Sequence, residues 1–300
     1  MKKILNIIFV LCLVIFTGCA TAPQADDPGF SGSSVWRVSR GSSIMYLAGS
    51  IHILREGDFP FPAAFDYAFS ASDVLVLEAD IGQMEDPAIV EYLMSQMLLE
   101  EGQSLQSVLS PEAYQLLSEK LMYYGVPIEF LSNLKPSMIM TLLSVLHLEG
   151  RGFTQEGIDH YYYRRASEEN VPIRFLESVE SQIHLLVSMG DGYEDDYILY
   201  SLMEMENTEN NFDVLLDDWR RGEGSNSEIE LQSMRDEWPL LYRALITNRH
   251  DSWMPQILAF LESGLTHFVI AGFLHIYGPD GLLQLLEEQG YTVEQLTGRS

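Results

Sequence analysis

Short apolar runs bounded by glycine or polar breaks recur along the chain, and several end on a residue able to do chemistry. Residues 34–39 and 44–48 read as two strands around the turn Arg40-Gly41-Ser42-Ser43. The second runs directly into Gly49-Ser50-Ile51-His52. Asp73-Val74-Leu75-Val76-Leu77 is β-branched and does not alternate, the pattern of a strand buried on both faces, and it stops at Glu78. Residues 171–176 form another short strand that stops at Glu177. Residues 266–271 run into Gly272-Phe273-Leu274-His275, and Tyr291-Thr292-Val293 adds a last strand.

Between these runs the period lengthens to that of a helix. Residues 87–149 carry Pro87 and Pro111 at first-turn positions, with Ser110 as a helix start and Gly125 as a stop. Leu116, Leu117 and Leu121 fall at helical spacing there. Residues 154–170 predict a helix with Ile158, Tyr161, Tyr162 and Arg165 in phase. Residues 178–262 are helical again, interrupted near Gly190 and over 222–227, and a closing helix at about 280–289 ends at Gly290. Buried strands alternating with helices predict an α/β fold: a central mixed or mostly parallel sheet with helices on both faces. The helical stretches at about 81–150 and 178–262 read as large insertions capping it.

The N-terminus has a different grammar. Lys2 and Lys3 precede an apolar run over residues 4–16, broken only by Asn6, and then Thr17-Gly18-Cys19. That reads as a secretory signal, too short for a comfortable transmembrane helix, and its end resembles a bacterial lipobox; the alternative is an uncleaved anchor or a plain secreted protein. The expected organisation is a signal peptide over 1–18, a lipidated tether over 19–34 and an α/β domain over 35–300. Cleavage removes Cys12 and leaves Cys19 as the lipid attachment point, so no thiolate remains within the fold. The expected location is exported and membrane-anchored, periplasmic or at the cell surface.

Composition narrows the partners. Lys and Arg number 17 against 44 Asp and Glu, a formal charge of −27. Such an excess repels phosphate backbones, so no nucleic-acid partner is expected, and membrane contact is expected only through the lipid at Cys19. The apolar fraction of 47% is enough for a sizeable core.

In an open α/β sheet, ligands bind where the parallel strands end. If the four strands are neighbours and parallel, His52, Glu78, Glu177 and His275 converge on one rim. Two imidazoles with one or two carboxylates suit Zn²⁺, Mn²⁺ or Fe²⁺, or serve without metal as general acid and base. The blander alternatives stand beside this. A histidine after a strand is commonly a structural one, and Glu177 or Glu180 reads equally as a helix N-terminal acid. Arg249 in Asn248-Arg249-His250-Asp251 is either an anion clamp or a salt-bridge partner. Asp159 reads as a first-turn cap, and His147, His160, His184 and His267 as structural or exposed. No Gly-x-Gly-x-x-Gly, Walker loop, Gly-x-Ser-x-Gly elbow or His-Glu-x-x-His is present.

Taken in order, these motifs resemble the TraB/GumN family. The resemblance rests on Tyr46 to His52, Pro60-Phe61-Pro62, Val74 to Glu78, Gly157-Ile158-Asp159 and Leu176-Glu177 with Gln182. It continues through Asn248-Arg249, Phe268 to His275, Gly278 to Leu283 and Gly290-Tyr291-Thr292-Val293, covering nearly all of residues 35–296. Ser50 stands where the family usually has Thr and keeps the hydroxyl. Phe273 and Leu274 replace smaller residues. The resemblance implies a relationship to Tiki-type metalloproteases, and more distantly to erythromycin-esterase-like and heme-binding ChaN-like scaffolds. It implies a divalent ion (Mn, Co, Zn or Fe) held by His52, His275 and Glu78, with Glu78, Arg249 and Glu177 as catalytic groups acting on a peptide or other small substrate. The alternative is a lipoprotein that binds heme, a metal or a peptide at the same rim without turnover.

Overall fold

The computed structural model of the chain describes residues 32–154, 156–207 and 211–297; the expected signal peptide and Cys19 lie outside them. The strands are β1 (Val35–Arg40), β2 (Ser43–Ser50), β3 (Val74–Leu77), β4 (Ile173–Phe175), β5 (His267–Gly272) and β6 (Thr292–Gln295). They form one sheet in the order β4-β3-β5-β2-β1-β6. β4, β3, β5 and β2 are parallel to their neighbours, whereas β1 runs against both β2 and β6. The sheet is therefore mixed with a parallel side, as the run of apolar strands predicts. A glycine turn makes the tight reversal between β1 and β2: Gly41 has φ +61°, a conformation that favours glycine.

β4 is shorter than the expected 171–176. Pro172 has no N–H to give, and its carbonyl takes the Leu75 N–H at 2.9 Å, so the ladder proper begins one residue later. Its position at the sheet edge also accounts for its partial exposure, in contrast to the four buried residues of β3 and the six of β5.

The described chain divides into two compact units. One holds the sheet, with residues 32–79, 156–177 and 211–297; the other is helical, with residues 80–154 and 178–207. In the helical unit, Pro87, Pro111 and Pro136 each open a helix (Pro87–Gln96, Pro111–Tyr123, Pro136–Gly150), where a missing N–H costs nothing. Asp86 and Ser110 cap two of them through Ala88 N and Ala113 N. Leu117 and Leu121, four apart, share the buried face, whereas Leu116 is turned outward and exposed.

The sheet unit carries helices α1 (Ala63–Ser70), α2 (Ile158–Glu169), α3 (Asn211–Arg221), α4 (Ser225–Glu237), α5 (Pro239–Tyr242), α6 (Asn248–Glu262) and α7 (Leu282–Glu288). Alternation along the strands sorts the core into two layers. Met45, Leu47, Val74, Val76, Val269 and Ala271 pack with Trp253, Ile257 and Leu261 of α6 and Leu282 and Leu286 of α7. On the opposite face Phe268 meets Phe65 of α1 and Tyr162 of α2 edge-on, at centroid distances of 6.5 and 5.7 Å. Both faces are covered, and the parallel strand ends are left to form a rim.

Candidate active site

The strand order dictates the order of side chains along that rim. β4, β3, β5 and β2 lie side by side, so the residues just beyond them follow as Glu177, Glu78, His275 and His52. Side chains separated by up to 223 positions in sequence are thereby brought together, and His52, Glu78 and His275 are all buried.

Two close approaches shape the loop that carries His52. A methyl group on Gly49 would lie 2.6 Å from the Phe273 ring, so the first Gly-x-x-His motif needs its glycine to accept the second motif. Phe273 is fully buried over Gly49 and edge-on to Tyr277, which absorbs its bulk. A methyl group on Gly157 would lie 2.2 Å from the His52 carbonyl oxygen. The start of α2 therefore abuts the His52 backbone, and Ile158 N–H donates to Ile51 O at 3.1 Å.

That docking delivers Asp159. Its Oδ2 lies 2.6 Å from His52 Nδ1, and both side chains are 2% exposed. Burial opposes a charged imidazole, yet the Asp159 carboxylate outweighs it and holds His52 above its ordinary pKa. Glu78 adds to that rise and Arg249 opposes it. Burial would raise Asp159, but His52 pulls its pKa below the usual carboxylate value. The expected capping role of Asp159 is thus not its main contact.

Arg249 comes from the first turn of α6, after a π turn at Arg243–Thr247. Its Nη2 donates to Glu78 Oε2 and to Glu177 Oε1 (2.6 Å), and its Nε to Glu177 Oε2 at 3.3 Å. Nη1 lies 2.7 Å from His275 Nε2. Trp253, one helical turn on, lies beneath the guanidinium with its ring centroid 4.4 Å from Cζ. Glu78 Oε1 takes the Gly272 N–H at 2.6 Å. Arg249 is thus a salt-bridge partner that ties the two rim carboxylates to the second histidine. Glu180, the competing acid, is exposed in the first turn of helix Val179–Ser188.

The hydrogen-bond chain fixes the tautomers on this side. A guanidinium can only donate, so His275 Nε2 accepts and its proton sits on Nδ1. Nδ1 lies 2.9 Å from His250 Nε2, and His250 Nδ1 in turn gives its proton to Asp280 O at 2.6 Å. Burial, then Arg249 and the neighbouring histidines, push His275 well below its ordinary pKa. Burial also pushes His250 down, to about 4. Both stay neutral. The two rim histidines are therefore set oppositely, His52 toward the protonated state and His275 away from it.

Asp159 and His250 were not singled out as site residues by sequence reasoning. The signal for Asp159 was its Gly-Ile-Asp motif, and for His250 its place beside Arg249. Of the remaining histidines, His147 pairs with Tyr124 OH at 2.9 Å in the helical unit, His267 stacks on Phe260 at 4.7 Å, and His160 follows Asp159 in α2, close enough to feel the charges of Asp159 and His52.

A divalent ion shared by His52, Glu78 and His275 does not fit this donor arrangement. Both nitrogens of His275 are engaged, and both oxygens of Glu78 take N–H groups. Arg249 already brings a positive charge to the two groups such an ion would bridge. Among the described residues, no group of three or more His, Cys, Asp or Glu is arranged to hold a metal.

Comparison with known proteins matches this picture to a lineage. Over 110 residues the chain is 36% identical to the metalloprotease TIKI1 of Danio rerio, a stretch covering 36% of this chain and 20% of that relative. The chain thus spans about a fifth of the curated relative it matches. No solved structure matches significantly. A family model matches residues 34–295, the whole span from β1 to β6 with every rim residue inside it, and the chain belongs to the TraB/PrgY/gumN family.

Proposed function

We propose that the protein is a hydrolase acting on a carbonyl substrate, with peptides the first class to test. The observation that carries this reading is geometric: a buried His52–Asp159 pair shares the rim with Arg249, which is held by Glu78, Glu177 and His275. His52, its Nδ1 proton held by Asp159, takes a proton from the attacking water at Nε2 and returns it to the leaving group. Arg249, fixed by Glu78, Glu177 and His275, supplies a preorganised positive charge where an oxyanion develops. His275 orients the guanidinium by accepting from it, and His250 accepts the His275 Nδ1 proton and so holds that tautomer.

The test is turnover of a quenched-fluorescent peptide library by the full-length protein, beside His52→Ala. Cleavage that His52→Ala abolishes supports the reading. No cleavage by the wild type, or equal cleavage by both, overturns it.

The name of the metalloprotease relative favours a second reading, in which the site takes up a divalent ion. That requires Arg249 to release His275 and Glu78. Calorimetric titration with Mn²⁺ or Zn²⁺ separates the two: saturable binding lost in His275→Ala favours the ion, and no heat of binding favours Arg249. Non-catalytic heme binding predicts instead a Soret band on adding hemin, without peptide turnover. Export and lipid anchoring at Cys19 belong to the same proposal. Metabolic labelling with a fatty acid, lost in Cys19→Ser, is the expected outcome.

A further inference from the structure

β2 closes on Ser50, whose hydroxyl is fully buried and has no protein hydrogen-bond partner among the described residues. Leaving a buried hydroxyl unpaired costs roughly 1–3 kcal/mol, and alanine at the same place would avoid that cost. A nearby buried serine does find a partner: Ser34, whose carbonyl takes the Gly49 N–H, donates its Oγ hydrogen to Trp219 O. Ser201 and Ser227 also have unpartnered hydroxyls, but they lie within helices and not at a strand end.

The position of Ser50 differs from theirs in three respects. It pairs in register with Gly272, whose N–H holds Glu78 Oε1 at 2.6 Å. Gly272 has no side chain, so the neighbouring strand places nothing across from the hydroxyl. Alternation also puts Ser50 on the sheet face of Tyr46 and Ala48, the face that α2 covers and from which Asp159 reaches His52 two residues on. An unpaired hydroxyl therefore sits at the end of the strand that leads into the proton carrier, beside the strand end that fixes Glu78.

We infer that Ser50 is a further functional residue, whose hydroxyl binds and positions the water that attacks the substrate. This rests on the hydrolase reading above. A hydroxyl offers one donor and two acceptor lone pairs, and water can satisfy either kind. Ser50 neither gains nor loses a proton in the step. It holds one side of the water while His52 Nε2 takes the proton from the other, and the water oxygen bonds to the substrate carbonyl carbon.

Three variants test it: Ser50→Ala removes the hydroxyl, Ser50→Thr keeps it, and Ser50→Val gives the shape of threonine without it. Melting temperature, a high-resolution crystal structure and kinetics on the peptide library are measured for each. The wild-type structure is expected to show an ordered water bonded to Ser50 Oγ and to His52 or Glu78. Ser50→Ala is expected to melt no lower than the wild type, to lose that water, and to lose about tenfold in kcat with KM unchanged. Ser50→Thr restores the rate and Ser50→Val does not. A melting temperature several degrees lower in Ser50→Ala would show a protein partner for the hydroxyl and overturn the inference. So would retention of the water, or an unchanged kcat. If the wild type cleaves no peptide the hydrolase reading fails, while the crystal structures still decide whether Ser50 binds water.

Discussion

Replacing Arg249 by Met keeps a long stem over Trp253 and removes the charge. The guanidinium is 6% exposed and Glu78 2%, so neither is screened by solvent. Arg249→Met leaves Glu78 and Glu177 facing each other without their counter-ion and strips His275 Nε2 of its donor. Removing one partner of a buried pair typically costs about 3–5 kcal/mol, and that is the expected loss. Adding Glu78→Gln removes one stranded charge, so the double variant should recover part of it, with a coupling energy of at least about 1.5 kcal/mol. Urea unfolding followed by tryptophan fluorescence reads the right unit, because Trp36, Trp219, Trp238 and Trp253 all belong to the sheet unit. His275 should also become easier to protonate by NMR titration, since Arg249 is one of the groups holding it neutral. A loss under about 1 kcal/mol with additive single variants would refute the central ion cluster.

Stability should fall on acidification, because His250 is neutral in the fold with a pKa near 4 while an unfolded histidine titrates near ~6.5. The unfolded chain then binds more protons below neutrality, and His250 alone costs about 2 kcal/mol between pH 7 and pH 5. His275 acts in the same sense. His52, raised, contributes fully below its unfolded value and loses that contribution as pH rises through its folded one. Asp159, lowered, contributes above the ordinary carboxylate value and loses it as pH falls through its folded one. Urea titrations at both pH values, with His250→Asn as control, should show the acid penalty shrink in the variant; equal penalties contradict the assignment. Asp159→Asn should lower the His52 pKa in NMR and reduce peptide turnover at least ~10-fold, and an unmoved pKa would sink the pairing. Gly157→Ala should cost roughly 1–3 kcal/mol through its clash with the His52 carbonyl. Gly57→Ala, with open space around it, should stay within about 0.5 kcal/mol by the same urea assay.

The strands and the rim residues were legible because each apolar run ends abruptly on a polar one, and a parallel sheet converts such endings into neighbours. Glu78 and His275 followed from that logic alone. Asp159 did not, because a carboxylate in a first helical turn has a sufficient local explanation, and only the docking of α2 on the His52 carbonyl reveals its partner. Arg249 was legible as a residue type but not as a hub. Its contacts come from β3, β4 and β5 at once, and no local spacing encodes three long-range partners. The tautomer chain through His250 is likewise a property of the folded first turn of α6.

The place of β5 in the sheet order has a consequence for the growing chain. β5 separates β3 from β2, yet it is the second-last strand to be made. Until residue 272 has been synthesised, β2 and β3 each keep an open, apolar edge with no partner between them, and the rim is split into two halves. Such edges invite pairing with other chains. A nascent or truncated chain ending before β5 thus lacks a continuous rim and is sticky, so closure of the sheet must wait for its second-last strand.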